Sequence, residues 1–497
     1  MSVVSSRRRL IGGLGATVVA AATAPAAVAA SQQAQAGSSS SLSGPYQTDV
    51  VVIGGGYSGL ACALALRQAG QQVMLLEARD RVGGRCMNTP LPAPFQQYVV
   101  EAGAEFIGPT QTRMYALAQA YGLSTFPAYD QGLQVSYLGG RRRTYSGVLP
   151  WTSLLSTGET GLALLKLEAM ATQVPIDAPW TAAKAVEWDS ETVQTWIQRN
   201  TVTRSGQQQL RLAVLALLST EPSDISMLFL LTYIRRGGGL TLLLSTSGGA
   251  QQDRIVGGSQ AIALAMAQDL GTVVNLGAEV REVHQDAQGV DVMGDGFIIR
   301  ANRVVVAMAP SMAGHIRFLP FDAQIQQRQQ LSQRVPMGSA WKVHCVYERP
   351  FWRDAGLSAQ CISDAFLPKI TFDNTPPEPG APGVIMGFID GQDARDAGLM
   401  TPQARRANVL QALGVYFGPQ ATQPLAYDEM NWQSEPFSAG GPTGVFPPGV
   451  LTGFGPALRT PAGRVHWAGT ETASAWMGYM EGAVRSGERA AQEIVNA

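Results

Sequence analysis

The sequence predicts an α/β fold: a parallel sheet layered with helices, in a chain long enough for a second part beside it. Three observations predict it. The chain is 497 residues long, too long for one ordinary domain, so two or three domains with a large apolar core are expected. Residues Asp49 to Ile53 form a continuous apolar run suited to a strand covered on both faces. That run feeds straight into Gly54-Gly55-Gly56-Tyr57-Ser58-Gly59, followed by a helix over Leu60 to Ala69, a stop at Gly70, and a second strand from Gln72 to Leu76 that ends in Glu77.

Strand, G-x-G-x-x-G, helix and strand close a βαβ unit of about 30 residues, the arrangement that binds a dinucleotide. Each part has a physical task. Gly54 permits the tight turn, Gly56 lets backbone amides approach a diphosphate, Gly59 lets the helix pack on the strand, and Ser58 lies in the same turn. Glu77 is placed to accept hydrogen bonds from a ribose. The chain continues Ala78-Arg79-Asp80-Arg81-Val82-Gly83-Gly84-Arg85. Arginines beside a Gly-Gly turn bring positive charge and backbone donors to the same diphosphate.

Composition narrows the function classes. A formal charge of −1 and a pI near 6.5 give no general attraction to a phosphate backbone or an anionic membrane, so no nucleic-acid partner is expected. The 55 glycines, many in pairs and triplets, suggest backbone packed closely against a large group. Cys62, Cys86, Cys345 and Cys361 show no C-x-x-C spacing and the four histidines are scattered, so no metal site is expected.

At the N-terminus, Arg7-Arg8-Arg9 precedes an apolar run from Leu14 to Ala30 with Ala27-Val28-Ala29 near its end. The pattern is that of a twin-arginine export signal over residues 1–30, with a periplasmic or secreted product. Residues 31–45, rich in Ser, Gln, Gly and Ala, read as a flexible linker. No later segment offers the ~18 uncharged apolar residues that a bilayer span requires, so no stable membrane anchor is expected.

The run from Glu77 to Arg85 resembles that of the flavin amine oxidases, which implies FAD rather than a nicotinamide cofactor. The resemblance extends along the chain. Val100 to Gln111 is similar to the segment passing beneath the flavin ring, which gives Gly103, Ala104, Glu105 and Phe106 to the cofactor, and Val280 follows on its adenine side. Val335 to Val343 resembles the strand whose lysine, here Lys342, holds a water against the flavin. Asn431-Trp432, Phe446-Pro447-Pro448-Gly449, and the blocks from His466 to Ala473 and Trp476 to Gly487 complete it. They assign Gly84, Arg85, Gly469, Glu471 and Met480 to the cofactor and Trp432 and Tyr479 to the substrate's aromatic walls. Ala216 and Leu244 are implied as cavity residues.

Two departures matter. Where many monoamine oxidases attach the flavin to a cysteine this chain has Gly441, so the FAD is expected to be non-covalent. Pro442 stands where a second tyrosine would face Tyr479, so one wall of the cage is missing or comes from elsewhere. The family architecture implies a discontinuous, Rossmann-like FAD domain of residues 46–122, 254–329 and 435–497, interleaved with an α+β substrate domain, a sheet plus helices, of 123–253 and 330–434. The implied reaction is oxidation of a small-molecule amine to an imine, hydrolysed to aldehyde or ketone, with dioxygen returning the flavin and giving hydrogen peroxide. Three alternatives stay open: a dehydrogenase of the same fold serving a periplasmic redox carrier, a flavin-binding protein without turnover, and an L-amino-acid oxidase. The last needs an arginine for the substrate carboxylate, with Arg113, Arg235 and Arg236 as candidates. A homodimer is also left open.

Overall fold

The computed structural model describes residues 42–497. The expected export signal and most of the expected linker lie outside the described residues. Strand β1 (Gly44–Ile53) already begins within the last part of that linker stretch. Its apolar end, Val50 to Ile53, is buried on both faces, as a continuous Val/Ile run in a central strand must be. The chain turns at Gly54, whose φ of +108° suits a residue without a Cβ. Helix α1 (Tyr57–Gln68) then starts three residues ahead of the position read from sequence. Gly59 lies in its first turn, where a Cβ would stand 1.8 Å from the Gly54 carbonyl oxygen. Any larger residue there would push the helix off the strand.

Strand β2 (Val73–Leu76) returns parallel to β1, and β3 (Phe297–Ala307) lies parallel on its other side. A short strand, Val465–Ala468, runs parallel to β3. Among the described residues this sheet has eight strands, drawn from three separated stretches of chain: 44–76, 274–319 and 465–468. The C-terminal helix, Met480–Val495, packs across α1. The four parallel strands ending at Ile53, Leu76, Ala307 and Ala468 point their carboxyl ends the same way. In open α/β sheets that edge is where ligands bind.

A second sheet has seven strands among the described residues. Next to one edge, β4 (Ala340–Tyr347) pairs antiparallel with β5 (Gly383–Asp390) on its inner side and with the edge strand β6 (Ala426–Asn431). Every residue of β4 is buried. Trp341, Val343 and Cys345 face a core shared with the helix Pro402–Phe417. Strand periodicity therefore turns Ala340, Lys342 and His344 to the opposite face. Helices that include α2 (Arg204–Leu218) and Met227–Arg236 pack around a separate apolar cluster. All four cysteines are free and buried.

Candidate active site

The carboxyl ends of the first sheet, one face of the second and the side of α2 enclose a cavity of about 1200 Å³. Of the residues expected to form the site, all except Gly59 and Glu471 line it. Gly59 is used for helix packing. Glu471 is fully buried behind Arg85, accepting from its Nη1 at 2.7 Å and from the Gly444 amide at 3.1 Å. Burial drives the Glu471 carboxyl up, but Arg85 and these hydrogen bonds more than offset it, holding the group below the usual carboxylate range.

Backbone dominates the nucleotide end. Neither α1 nor the C-terminal helix has a side-chain cap at its N-terminus, and Gly56 and Met480 at those termini line the cavity. Free amides and the positive end of a helix dipole suit a diphosphate at one terminus and electron-rich ring oxygens at the other. A Cβ on Gly56 would approach only the Gly84 Cα, at 3.8 Å, so the surface is bare backbone on both sides of the groove. Ser58 Oγ accepts from the Gly469 amide at 2.9 Å and ties the first turn to the last strand. Glu77 Oε2 accepts from the Gly55 amide at 2.6 Å and Oε1 from the Arg79 amide at 2.9 Å. Its carboxylate thus shapes the loop that a ribose would meet. Arg79 is countered by Glu77 and Glu435. Val280 lines the same end. Cavity volume, bare turns and uncapped helices together fit FAD.

Buried side chains dominate the other end. Lys342 Nζ donates to the Gly103 carbonyl at 2.9 Å and to Glu105, and lies 5.4 Å from the centre of the Phe388 ring. Arg254 donates to Glu101 at 2.6 Å and approaches Glu105 at 3.6 Å. Two acids and two bases, each at most 3% exposed, so form a closed cluster in which charge is balanced, the condition for tolerating ions in the interior. Burial holds the Glu105 carboxyl above its ordinary value, with Lys342 and Arg254 pulling the other way. Burial, then the same two cations, keeps His344 well below its ordinary value and therefore neutral. Ala104 and Phe106 line the cavity beside this cluster.

Trp432 is fixed by its indole N–H, which donates to the Ala102 carbonyl at 2.7 Å. Tyr479 packs edge-on against Trp476 at 4.9 Å and beside Tyr233 at 6.1 Å. Its phenol is pushed up to about 12 by burial and stays neutral. Pro442 offers its carbonyl to Arg85 at 2.7 Å and lines the cavity, as do Ala216 and Leu244. Arg113, Arg235 and Arg236 do not line it. Arg113 binds Glu488, Arg235 is exposed, and Arg236 donates to the Ile176 carbonyl at 3.0 Å. None of the three is placed to clamp a substrate carboxylate.

Sequence reasoning missed Arg254, Tyr233, Gln209 and Asp390 as members of the site. Arg254 carried a faint signal, two residues before Val256-Gly257-Gly258. Tyr233 and Gln209 sit in helices whose apolar patterns look like ordinary core, and Asp390 closes a strand with nothing in its neighbours to mark it.

A parallel-stranded nucleotide fold, a dinucleotide-sized groove and a buried lysine–carboxylate cluster at its far end define an FAD-dependent oxidoreductase. The family model described as flavin containing amine oxidoreductase matches residues 57–495. A Mycobacterium tuberculosis protein named as a flavin-containing monoamine oxidase, AofH, is 40% identical over 454 residues, covering 90% of this chain and 97% of its own. Flavin-containing amine oxidase A of Bos taurus is 36% identical over 457 residues, covering 90% and 85%. Among solved structures, cyclohexylamine oxidase from Brevibacterium oxydans superposes with a TM-score of 0.85 at 33% identity, covering 90% of this chain and 99% of that one. Wild-type putrescine oxidase bound to putrescine gives 0.85 at 30%, covering 91% and 100%. The chain belongs to the flavin-containing amine oxidoreductase family, with FAD as its cofactor and amine oxidation as its general chemistry.

Proposed function

We propose that this protein oxidises a small-molecule amine to an imine, using non-covalent FAD and dioxygen. The observation that carries this reading is the buried Lys342–Glu105–Arg254–Glu101 cluster, placed between the Gly103 segment and an aromatic-walled cavity. FAD, when bound, supplies the acceptor for the two electrons and the α-hydrogen lost from the amine. The protein's own groups do the rest. Trp432 and Tyr479 present ring faces that orient an amine nitrogen, and Tyr479, neutral at physiological pH, adds no charge. Apolar lining from Ala216 and Leu244 favours the neutral amine and excludes water. Lys342, fixed by Gly103 and Glu105, directs its ammonium donors to that end of the cavity. Loss of the α-hydrogen with two electrons and of an N–H proton leaves an imine, and water then cleaves the C=N bond to give aldehyde or ketone and ammonia or an amine. Two electrons and two protons convert dioxygen to hydrogen peroxide.

Gly441, at the place expected of an attaching cysteine, supports non-covalent retention. The N-terminal arginine run followed by apolar residues supports export by the twin-arginine route, which carries folded, cofactor-loaded proteins. The test is purification with an absorbance band near ~450 nm from the flavin's own chemistry, then anaerobic bleaching against a panel of amines. Release of FAD by acid precipitation shows non-covalent binding. Stoichiometric peroxide on admitting air supports dioxygen as acceptor; rapid anaerobic bleaching with slow return in air identifies a dehydrogenase instead. Bleaching by amino acids but not by their decarboxylated amines overturns the amine reading.

A further inference from the structure

Among the described residues, three cavity-lining side-chain atoms have no hydrogen-bond partner in the protein: Glu105 Oε1, Gln209 Oε1 and Asp390 Oδ1. All three are acceptors. Glu105 already belongs to the balanced cluster around Lys342. Gln209 is oriented by its amide N–H groups, which donate to Thr152 at 3.1 Å and Ser156 at 3.3 Å, so its oxygen is the atom left over. Asp390 is different in kind, because it is a carboxylate and only 7% exposed.

The ions around Asp390 are already paired with one another. Arg211 holds Glu221 through two hydrogen bonds of 2.7 Å, and Lys369 holds Asp393. Three acids against two bases leave one carboxyl, that of Asp390, without a cation, and it stands at the cavity wall. Ser219, at the end of α2, lines the wall beside it. Register fixes its position relative to Lys342. Phe388 pairs with Lys342 and Asp390 with Ala340, so Asp390 and Lys342 occupy one face of the sheet, two residues or about 7 Å apart along the strands. Glu105 neutralises Lys342, which leaves Asp390 to attract a cation from outside.

We infer that the substrate carries a second protonated nitrogen and that Asp390, with the Ser219 hydroxyl beside it, binds that ammonium while the first nitrogen is oxidised. The ligand class is a linear diamine or polyamine. This inference rests on the amine-oxidase reading above. An ammonium supplies both the countercharge and the donors that the wall lacks, which a neutral alkyl or aryl tail does not. Gln209, ten residues or about 15 Å before Ser219 along α2, offers a further acceptor to a longer chain. Burial, with Asp393 and Glu221 adding to it and Ser219 and Lys369 opposing it, raises the Asp390 carboxyl to about 7. Its preference for cations should therefore grow as pH rises through neutrality.

The test compares 1,4-diaminobutane and 1,5-diaminopentane with butylamine and pentylamine on the FAD-loaded enzyme. The expected result is a diamine-to-monoamine ratio of kcat/KM of at least about 10, falling at least ten-fold in Asp390→Asn, chiefly through KM. Without turnover, the diamines should raise the melting temperature of the wild type more than the monoamines do, and Asp390→Asn should remove that difference. Should the variant not fold, the wild-type ratio itself decides, since it must decline as pH is lowered from 8 to 6. A wild type that prefers the monoamine at both chain lengths, or a ratio unchanged in Asp390→Asn, overturns the inference while leaving amine oxidation intact. Failure of every amine to bleach the bound flavin overturns both.

Discussion

At the nucleotide end of the cavity the protein presents backbone: glycine turns, uncapped helix termini and carboxylates already tied to loop amides. At the amine end it presents side chains: a four-ion cluster, two aromatic walls and an aspartate without a cationic partner. The contrast follows from what each end must recognise. A diphosphate and a flavin offer acceptors at fixed positions, and amide donors held by regular structure suffice for them. An amine differs from enzyme to enzyme, and the side chains that select it can change without disturbing the strands beneath.

That contrast predicts that the first end fails by steric disruption and the second by charge imbalance. The largest effect is expected at Gly59→Val. With a Cβ already 1.8 Å from the Gly54 oxygen, the helix must leave the sheet, at a cost of about 4–5 kcal/mol or more. Purified protein should then carry no flavin, and retention of a normal FAD complement would show that close helix–strand packing at Gly59 is not what holds the nucleotide end together. At the other end, Lys342→Met should cost about 3–5 kcal/mol because Glu105 loses its closest cation, and it should slow anaerobic flavin reduction while FAD stays bound. Lys342→Met/Glu105→Gln should recover most of the stability but not the rate. Denaturant unfolding of the two variants measures this, and a double variant as unstable as the single one would show that packing, not charge, holds the cluster.

Asp390 gives a pH signature. Its carboxyl sits at about 7 in the folded protein against an ordinary 3.8, so the folded state binds the proton more tightly than the unfolded one. Its contribution to stability is therefore full below pH ~4 and lost as pH rises towards 7. Asp390→Asn should accordingly raise the substrate-free melting temperature at pH 8, by the equivalent of roughly 2–4 kcal/mol, with the gain shrinking towards pH 5. Glu221, Asp393, Lys369 and Arg211 face the same region, and a gain independent of pH would show that the Asp390 carboxyl does not change its charge over this range. The smallest effect belongs to Trp432→Phe. Losing the indole N–H to Ala102 should cost about 1 kcal/mol and lower kcat/KM for amines by less than about ten-fold. A complete loss of activity would make the tryptophan more than a wall.

Much of this was legible in the sequence because it is local. A Val/Ile run before G-x-G-x-x-G predicts a buried strand, a turn and a helix from residues in contact along the chain. Lys342 stood out as a charge within an apolar strand. The helix start at Tyr57 instead of Leu60 escaped, since the turn glycines themselves enter the first turn. The resemblance supplied Trp432 and Tyr479, which no spacing would have picked out.

The chain alone carries the βαβ nucleotide unit, the family and the cofactor, because those depend on short-range pattern and on motifs made of neighbouring residues. Which charges meet is settled by the fold. Glu105 finds Lys342 across 237 residues and Arg254 finds Glu101 across 153, while Asp390 meets a wall whose other cations are taken. Pairing between residues so far apart leaves no period and no spacing in the chain, and it is the pairing that turns a buried aspartate into a site for a cation.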